Sequence, residues 1–256
     1  MSVVETVSLL GLEFADLTVS QAALQIAARS ADAPFGYVVT PNADHLVRLK
    51  RDERLASAYR NPVLCLLDSR VVFGLARLFG LAAPPVVPGS DLTEWLLMHH
   101  VGANERITIV GLAPAWLPGL VARCGLAPPA HYDPPMGFDR DPIAFAAAVA
   151  FVRTHPARLL FLAVGSPQQE YLAAAIGDTG GITGTGLCIG ASLEFLAGKR
   201  RRAPRWLGRM GLEWLHRLVC EPRRLCRRYL VSSPMVIALL VKQRLAAGRH
   251  GQALRV

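Results

Sequence analysis

Short apolar segments rich in β-branched residues alternate with segments of helical spacing along the first 198 residues. The apolar segments lie at 37–39, 63–67, 107–110, 159–164 and 187–189. Helical spacing follows at 43–59, 71–79, 143–154 and 168–176. Strands that are apolar at every position are typical of parallel sheets buried on both faces. The pattern therefore predicts an α/β fold with a mostly parallel sheet flanked by helices.

Polar residues or glycine close several of these predicted strands. In parallel sheets, ligands bind beyond the carboxyl ends of the strands, so these positions are the candidate ligand contacts. They are Thr40, Asn42, Asp68, Gly111, Gln168 and Gln169.

Each of these positions also has a purely structural interpretation. Thr40 or Asn42 at Thr-Pro-Asn suits the cap of the next helix, and spacing alone favours that role over ligand binding. Asp68 follows five apolar residues, so it is equally consistent with a helix N-cap and with a general base made stronger by burial. The turn at 165–170 could bind a diphosphate at a helix N-terminus, but it is also an ordinary helix start.

The charge is concentrated in the last 58 residues. Residues 1–198 carry 13 basic and 17 acidic side chains, whereas residues 199–256 carry 15 basic and 2 acidic ones. We therefore expect an α/β core at 1–198 and a basic helical appendage at 199–256, with a short apolar helix at 235–241. Arginine-rich amphipathic segments with tryptophan suit phosphates and anionic membrane surfaces.

Several other classes of site and location are not indicated. Asp139-Arg140-Asp141 could hold a divalent ion, but acidic residues before a helix are common, and the histidines lack zinc-ligand spacing. We therefore expect no metal site and no cofactor. Neither a P-loop nor a dinucleotide-binding fingerprint is present. No secretory signal or membrane-spanning segment is predicted, and five cysteines without a C-x-x-C pair fit a reducing cytoplasm.

A series of motifs in order resembles the WecG/TagA/CpsF glycosyltransferase family from about residue 8 to residue 230. The motifs are T-P-N-A-D-H, a strand ending in Asp68, P-G-S-D-L, G-S-P-Q-Q-E, R-A-P and G-L-E-W-L-H-R-L-x-x-E-P-R-R-L-x-R-R-Y. The last two are highly specific.

The resemblance implies a Rossmann-like enzyme that transfers a hexose-type sugar with inversion and without a metal. The donor is a UDP-sugar, and the acceptor is a polyprenyl-diphosphate-linked saccharide of exopolysaccharide or wall-polymer assembly. It also implies peripheral contact with the cytoplasmic face of the cell membrane, where the appendage helps the site to meet the lipid. Self-association into a homo-oligomer is left open.

The resemblance also assigns roles to individual residues. Asp68 takes the place of the catalytic base, Thr40 and Asn42 lie in the sugar and acceptor pocket, and Gln169 lies near the donor. Arginines of the appendage contact the diphosphates; they are Arg202, Arg217, Arg224, Arg227 and Arg228.

Three positions depart from the family pattern. Ser69 stands where glycine is usual and Gln168 where lysine is common, and the segment 85–88 lacks the arginine that often precedes G-S-D-L. Donor and acceptor choice therefore cannot be transferred from the family.

Two other functions compete with glycosyl transfer. A nucleic-acid-binding protein would explain the basic segment, but it leaves Asp68 and Gln169 unexplained, and aromatic residues for base stacking are few at 7%. We therefore expect no nucleic-acid partner. A non-catalytic membrane adaptor of a polysaccharide complex is the other alternative.

Overall fold

The structure, a computed structural model, describes residues 4–199 and 234–246 and contains a hairpin and a six-stranded sheet. The antiparallel hairpin pairs β1 (Thr6–Leu9) with β2 (Leu12–Ala15). The sheet contains β3 (Gly36–Val39), β4 (Leu64–Cys65), β5 (Thr108–Gly111), β6 (Ala130–Tyr132), β7 (Leu159–Ala163) and β8 (Thr185–Cys188). Its strand order is β4-β3-β8-β7-β5-β6, and every neighbouring pair is parallel. The predicted fold class is confirmed.

Helices cover both faces of this sheet. They are α1 (Val19–Ala27), α2 (Ala43–Arg48), α3 (Glu53–Ala58), α4 (Arg70–Leu78), α5 (Gly89–His99), α6 (Leu117–Cys124), α7 (Pro142–Thr154), α8 (Gln168–Thr179), α9 (Ser192–Leu196) and α10 (234–246). Side chains that accept hydrogen bonds from the first turn begin five of them; these residues are Thr18, Asn42, Asp52, Ser69 and Asp141.

The apolar strands supply two separate cores because successive side chains point to opposite faces of the sheet. In β7, Leu160 and Leu162 pack in one core, whereas Leu159 and Phe161 pack in the other. Buried side chains of α2, α3, α4, α7, α8 and α10 complete the first core. Those of α1, α5, α6 and α9 complete the second. This burial on both faces explains why the strands are apolar throughout.

The segment of helical spacing predicted at 43–59 is helical, but it forms two short helices and not one continuous helix. Asp52 adopts an extended backbone conformation with φ −121° and ψ 98°, and its side chain accepts a hydrogen bond from the Leu55 amide. Asp52 thus lies between the two helices and caps α3. The hydroxyl of Tyr171, a residue of α8, also donates to Asp52 at 2.5 Å. This hydrogen bond fixes the position of Asp52 between α2 and α3.

The strand predicted at 63–67 is shorter than expected, because β4 covers only Leu64–Cys65. Beyond it the chain still bonds to its neighbours: the Leu66 amide donates to the Val39 carbonyl, and Leu67 forms an isolated bridge with Val86. The chain after β4 therefore pairs first with β3 and then, at Leu67, with Val86. This second contact places the segment that precedes α5 next to Asp68.

Helix α10 packs against the first core although it lies far from that core in sequence. Its residues Val236 and Leu240 are fully buried, and the Gln243 side chain accepts a hydrogen bond from the Leu10 amide at 2.8 Å. The short helix predicted at 235–241 is thus present and longer. Residues 200–233 lie outside the described residues, so the division at 198 and the basic appendage stay predictions. Within residues 4–199 and 234–246, no helix has the length and apolar character needed to span a bilayer.

Candidate active site

The Asp68 carboxylate lies at the N-terminus of α5 and does not cap the helix that follows it. Ser69 caps α4 by accepting a hydrogen bond from the Val72 amide, so Asp68 is not needed for that role. Asp68 Oδ2 instead accepts from the Gly89 amide at 3.3 Å, and the Asp68 amide donates to the Pro41 carbonyl at 3.0 Å. The positive end of the α5 dipole therefore faces a carboxylate at the carboxyl edge of the sheet.

Polar side chains from three strand ends converge on Gly89. A Cβ atom at Gly89 would lie 3.1 Å from Thr40 Oγ1, 3.6 Å from Ser192 Oγ and 3.7 Å from Asp68 Oδ2. Thr40 and Ser192 are themselves fixed, because their hydroxyls donate to the carbonyls of Cys188 and Ile189. We call Asp68, Thr40, Ser192 and Gly89 the Asp68 cluster.

Only part of this cluster could be found from the sequence. Thr40 and Asp68 close predicted strands, and the structure brings them together. Ser192 was missed, because it follows β8 by four residues inside a glycine-rich stretch and carries no motif of its own.

Asn42 acts as the N-cap of α2. Its side-chain oxygen accepts from the Asp44 amide at 3.0 Å, and its own amide donates to His45 Nδ1 at 3.3 Å. This is the capping role that spacing alone favours. The contact of Asn42 with substrate stays a prediction.

Gln169 joins the ends of β7 and β8. It is 4% exposed, and its Oε1 atom accepts from the Gly190 amide at 2.7 Å while its Nε2 atom donates to Glu170 at 2.9 Å. The neighbouring Gln168 points elsewhere and donates to Asp139 at 2.8 Å. Of the two glutamines, only Gln169 therefore bonds to the segment after β8. The hydroxyls of Thr40 and Ser192 donate to carbonyls of the same part of the chain.

Glu170 and His45 form a buried polar pair that sequence reasoning missed. Glu170 Oε1 lies 3.5 Å from His45 Nε2, and the side chains are 1% and 10% exposed. Burial alone would raise the pKa of Glu170, but hydrogen bonds from His45 and Gln169 hold that pKa below its usual value. The sequence signal was weak, since the glutamate is also the third residue of an ordinary helix start.

Gly111 lies apart from the Asp68 cluster. It ends β5, which is separated from β8 by β7, so about 10 Å of sheet lies between them. Its φ is +94°, and a Cβ atom there would lie 2.7 Å from the Ala163 carbonyl carbon. The structure therefore gives Gly111 a packing role, and its contact with substrate stays a prediction.

The D-x-D sequence at 139–141 has structural contacts in both of its acids. Asp139 accepts from Gln168, and Asp141 caps α7 by accepting from the amides of Ile143 and Ala144. In the part of the chain that the structure describes, no three His, Cys, Asp or Glu residues are grouped so that they could hold a metal ion.

The predicted diphosphate-binding arginines cannot be placed. They lie outside the described residues, so their roles stay predictions; they are Arg202, Arg217, Arg224, Arg227 and Arg228.

Comparison with known proteins identifies the family. The sequence model of the WecG/TagA/CpsF glycosyl transferase family matches residues 7–250. The N-acetylglucosaminyldiphosphoundecaprenol N-acetyl-beta-D-mannosaminyltransferase of Bacillus spizizenii is 24% identical over 229 residues, which cover 84% of this chain and 82% of that enzyme. The family match takes in the parallel sheet, the Asp68 cluster and α10, and it shows that the chain belongs to the WecG/TagA/CpsF family of glycosyltransferases.

Proposed function

We propose that this glycosyltransferase moves a hexose-type sugar from a UDP-sugar to a polyprenyl-diphosphate-linked saccharide during assembly of a cell-surface polymer or exopolysaccharide. The name of the Bacillus spizizenii relative describes transfer of an N-acetylmannosaminyl group to N-acetylglucosaminyldiphosphoundecaprenol. That acceptor belongs to the proposed class. We place the reaction at the cytoplasmic face of the membrane, as the resemblance to the family implies; an acceptor linked to a polyprenyl lipid is consistent with a reaction at a membrane surface.

The observation that carries the mechanism is the half-buried Asp68 carboxylate at the start of α5, beside the hydroxyls of Thr40 and Ser192. In the proposed reaction Asp68 takes the proton of the acceptor hydroxyl as the acceptor oxygen attacks the anomeric carbon. The bond from that carbon to the UDP oxygen breaks on the opposite face and its electron pair leaves with UDP. The configuration at the anomeric carbon is therefore inverted.

The leaving UDP gains negative charge that the protein must stabilise. In the proposed mechanism this charge is met by arginines of the 199–256 segment and by backbone amides, without a metal ion. The support is the composition of that segment, which carries 15 basic and 2 acidic side chains. Guanidinium groups bind phosphate oxygens through paired hydrogen bonds.

The test is a transfer assay with a panel of UDP-sugars and a short-chain lipid-diphosphate saccharide. We expect one donor to give product with inverted configuration, at the same rate with and without EDTA. We expect Asp68→Asn to lower kcat by about a hundredfold or more, because general base catalysis contributes that much. Asp141→Asn is the matched control, since asparagine also caps a helix and Asp141 lies on α7.

Three results would contradict the proposal. Product of retained configuration would exclude the single-step displacement, and loss of activity in EDTA would exclude the metal-free mechanism. An Asp68→Asn variant that folds and keeps full activity would exclude the base. Two further measurements test the competing functions. We expect UDP to raise the melting temperature, whereas a non-catalytic adaptor would show no such shift. Binding to nucleic acid that UDP does not affect would favour a nucleic-acid-binding protein.

A further inference from the structure

A chain of contacts that begins at the buried Glu170 carboxylate leads to the backbone of Asp68. Glu170 Oε1 lies 3.5 Å from His45 Nε2, and His45 Nδ1 lies 3.3 Å from the Asn42 amide nitrogen. Because the Asn42 amide donates to Nδ1, the neutral ring carries its proton on Nε2, where it faces Glu170. The carbonyl of Pro41, next to Asn42, then accepts from the Asp68 amide at 3.0 Å.

A second branch runs from the same carboxylate oxygen to the other side of the Asp68 cluster. Gln169 Nε2 donates to Glu170 Oε1, and Gln169 Oε1 accepts from the Gly190 amide. Gly190 lies two residues beyond the end of β8, and the Thr40 hydroxyl donates to the carbonyl of Cys188, the last residue of β8. One oxygen atom of Glu170 therefore holds the loop after β3 and the loop after β8 together.

Stability alone does not explain a carboxylate at this position. Glu170 is 1% exposed, and its second oxygen, Oε2, has no hydrogen-bond partner among the described residues. Removing a carboxylate from water is costly unless its oxygens are all hydrogen-bonded, and here only Oε1 has hydrogen-bond partners among the described residues. What the carboxylate provides here is a shared acceptor for two loops that both approach Asp68.

We propose that Glu170 is a positioning residue that acts through His45 and Gln169 to hold the loops around Asp68 in the geometry that sugar transfer requires. The proposal rests on the function proposed above for Asp68. A displacement of about 1 Å between reacting groups can lower a rate about a hundredfold, so loosening either loop is expected to reduce kcat.

Two substitutions at Glu170 separate hydrogen bonding from mere volume. In Glu170→Gln the carboxamide oxygen still accepts from His45 and Gln169, so we expect kcat to remain within about threefold of wild type. In Glu170→Leu both bonds are lost at similar volume, and we expect kcat to fall about tenfold or more. Equal loss in the two variants, or full activity in folded Glu170→Leu, would overturn the proposal.

Amide hydrogen exchange supplies a readout that does not depend on any transfer assay. We expect Glu170→Leu to accelerate exchange of the Asn42 and Gly190 amides about tenfold or more relative to the amides of β5, and Glu170→Gln to leave them close to wild type. Unchanged exchange at both amides in Glu170→Leu would overturn the proposal that Glu170 positions these loops. Wild-type protein that transfers no sugar would overturn the proposed function instead.

Glu105→Leu is the matched control for general destabilisation. Glu105 is also a partly buried carboxylate, but it pairs with Arg158 at the opposite, amino-terminal edge of the sheet. We expect this variant to lower the melting temperature while kcat and the exchange of the Asn42 and Gly190 amides stay unchanged. A similar loss of kcat in Glu105→Leu would show that destabilisation alone explains the Glu170 result.

Discussion

At the residue scale, Gly89 determines how closely α5 approaches the ends of the strands. Its missing side chain leaves room for three oxygen atoms, those of Thr40, Ser192 and Asp68, around one backbone position. The Gly89 amide donates to Asp68 from the same place. A methyl group at this position would contact the oxygen atoms of the Asp68 cluster and not the apolar cores. We therefore expect a substitution here to affect activity more than stability.

We predict that Gly89→Ala lowers kcat by about tenfold while the free energy of unfolding changes by less than about 1 kcal/mol. Alanine favours the helix, but its Cβ at 3.1 Å from Thr40 Oγ1 forces that side chain to move. Transfer kinetics and chemical denaturation measure the two effects.

Gly74→Ala is the matched control, because nothing lies within 4 Å of a Cβ atom at that position of α4. It should keep full activity and gain up to about 1 kcal/mol of stability. Full activity in Gly89→Ala would contradict the close approach at the site.

At the element scale, Arg158 connects three elements at the amino-terminal edge of the sheet. Its guanidinium makes two hydrogen bonds to Glu105, at 2.7 and 2.9 Å, and donates to the carbonyls of Ala27 and His100. The ends of α1 and α5 are thereby joined to the start of β7. Burial alone would raise the pKa of Glu105, but the hydrogen bonds from Arg158 hold that pKa below its usual value.

We predict that Glu105→Gln is less stable than wild type at neutral pH and that this difference shrinks as the pH falls. A carboxyl group whose pKa is lowered by folding stabilises the protein above its unfolded pKa of about 4.3, and this contribution disappears as the pH drops through the folded value. Melting temperatures at about pH 7 and about pH 3 test this. An equal difference at both values would contradict the assigned pairing.

At the scale of the whole molecule, helix α10 links the end of the described chain to its beginning. Leu240 and Val236 are buried in the same core as Leu9, and Gln243 accepts from the Leu10 amide in the turn of the hairpin. Residues 234–246 therefore contribute to the stability of the α/β core.

We predict that Leu240→Ala lowers the free energy of unfolding by about 2–5 kcal/mol, as truncation of a fully buried leucine does. Ile237→Ala on the same helix is the control, because Ile237 is 40% exposed and should cost about 1 kcal/mol or less. Urea denaturation distinguishes them. Equal, small effects would contradict the packing of α10 on the core.

The local pattern predicted five of the six strands of the parallel sheet, the helices α4, α7, α8 and α10, and part of the site, but not the hairpin, β6, α1, α5, α6 or α9. Continuous apolar strands require burial on both faces, which predicts a parallel sheet, and Thr40, Asp68 and Gln169 could be selected because they end strands. Helical spacing did not show where the segment at 43–59 divides into two helices, because the division depends on Asp52 capping α3.

The sequence by itself determined the parallel α/β class, the family through its ordered motifs, and the strand-end position of Asp68. Only the tertiary structure decided that β8 lies beside β3, which brings Ser192 to Thr40 and Gln169 to Gly190. The physical reason is that hydrophobic periodicity depends on neighbours a few residues apart, whereas strand order depends on contacts between distant segments. The contacts around Glu170 are of this second kind, because His45 and Glu170 are 125 positions apart in the chain.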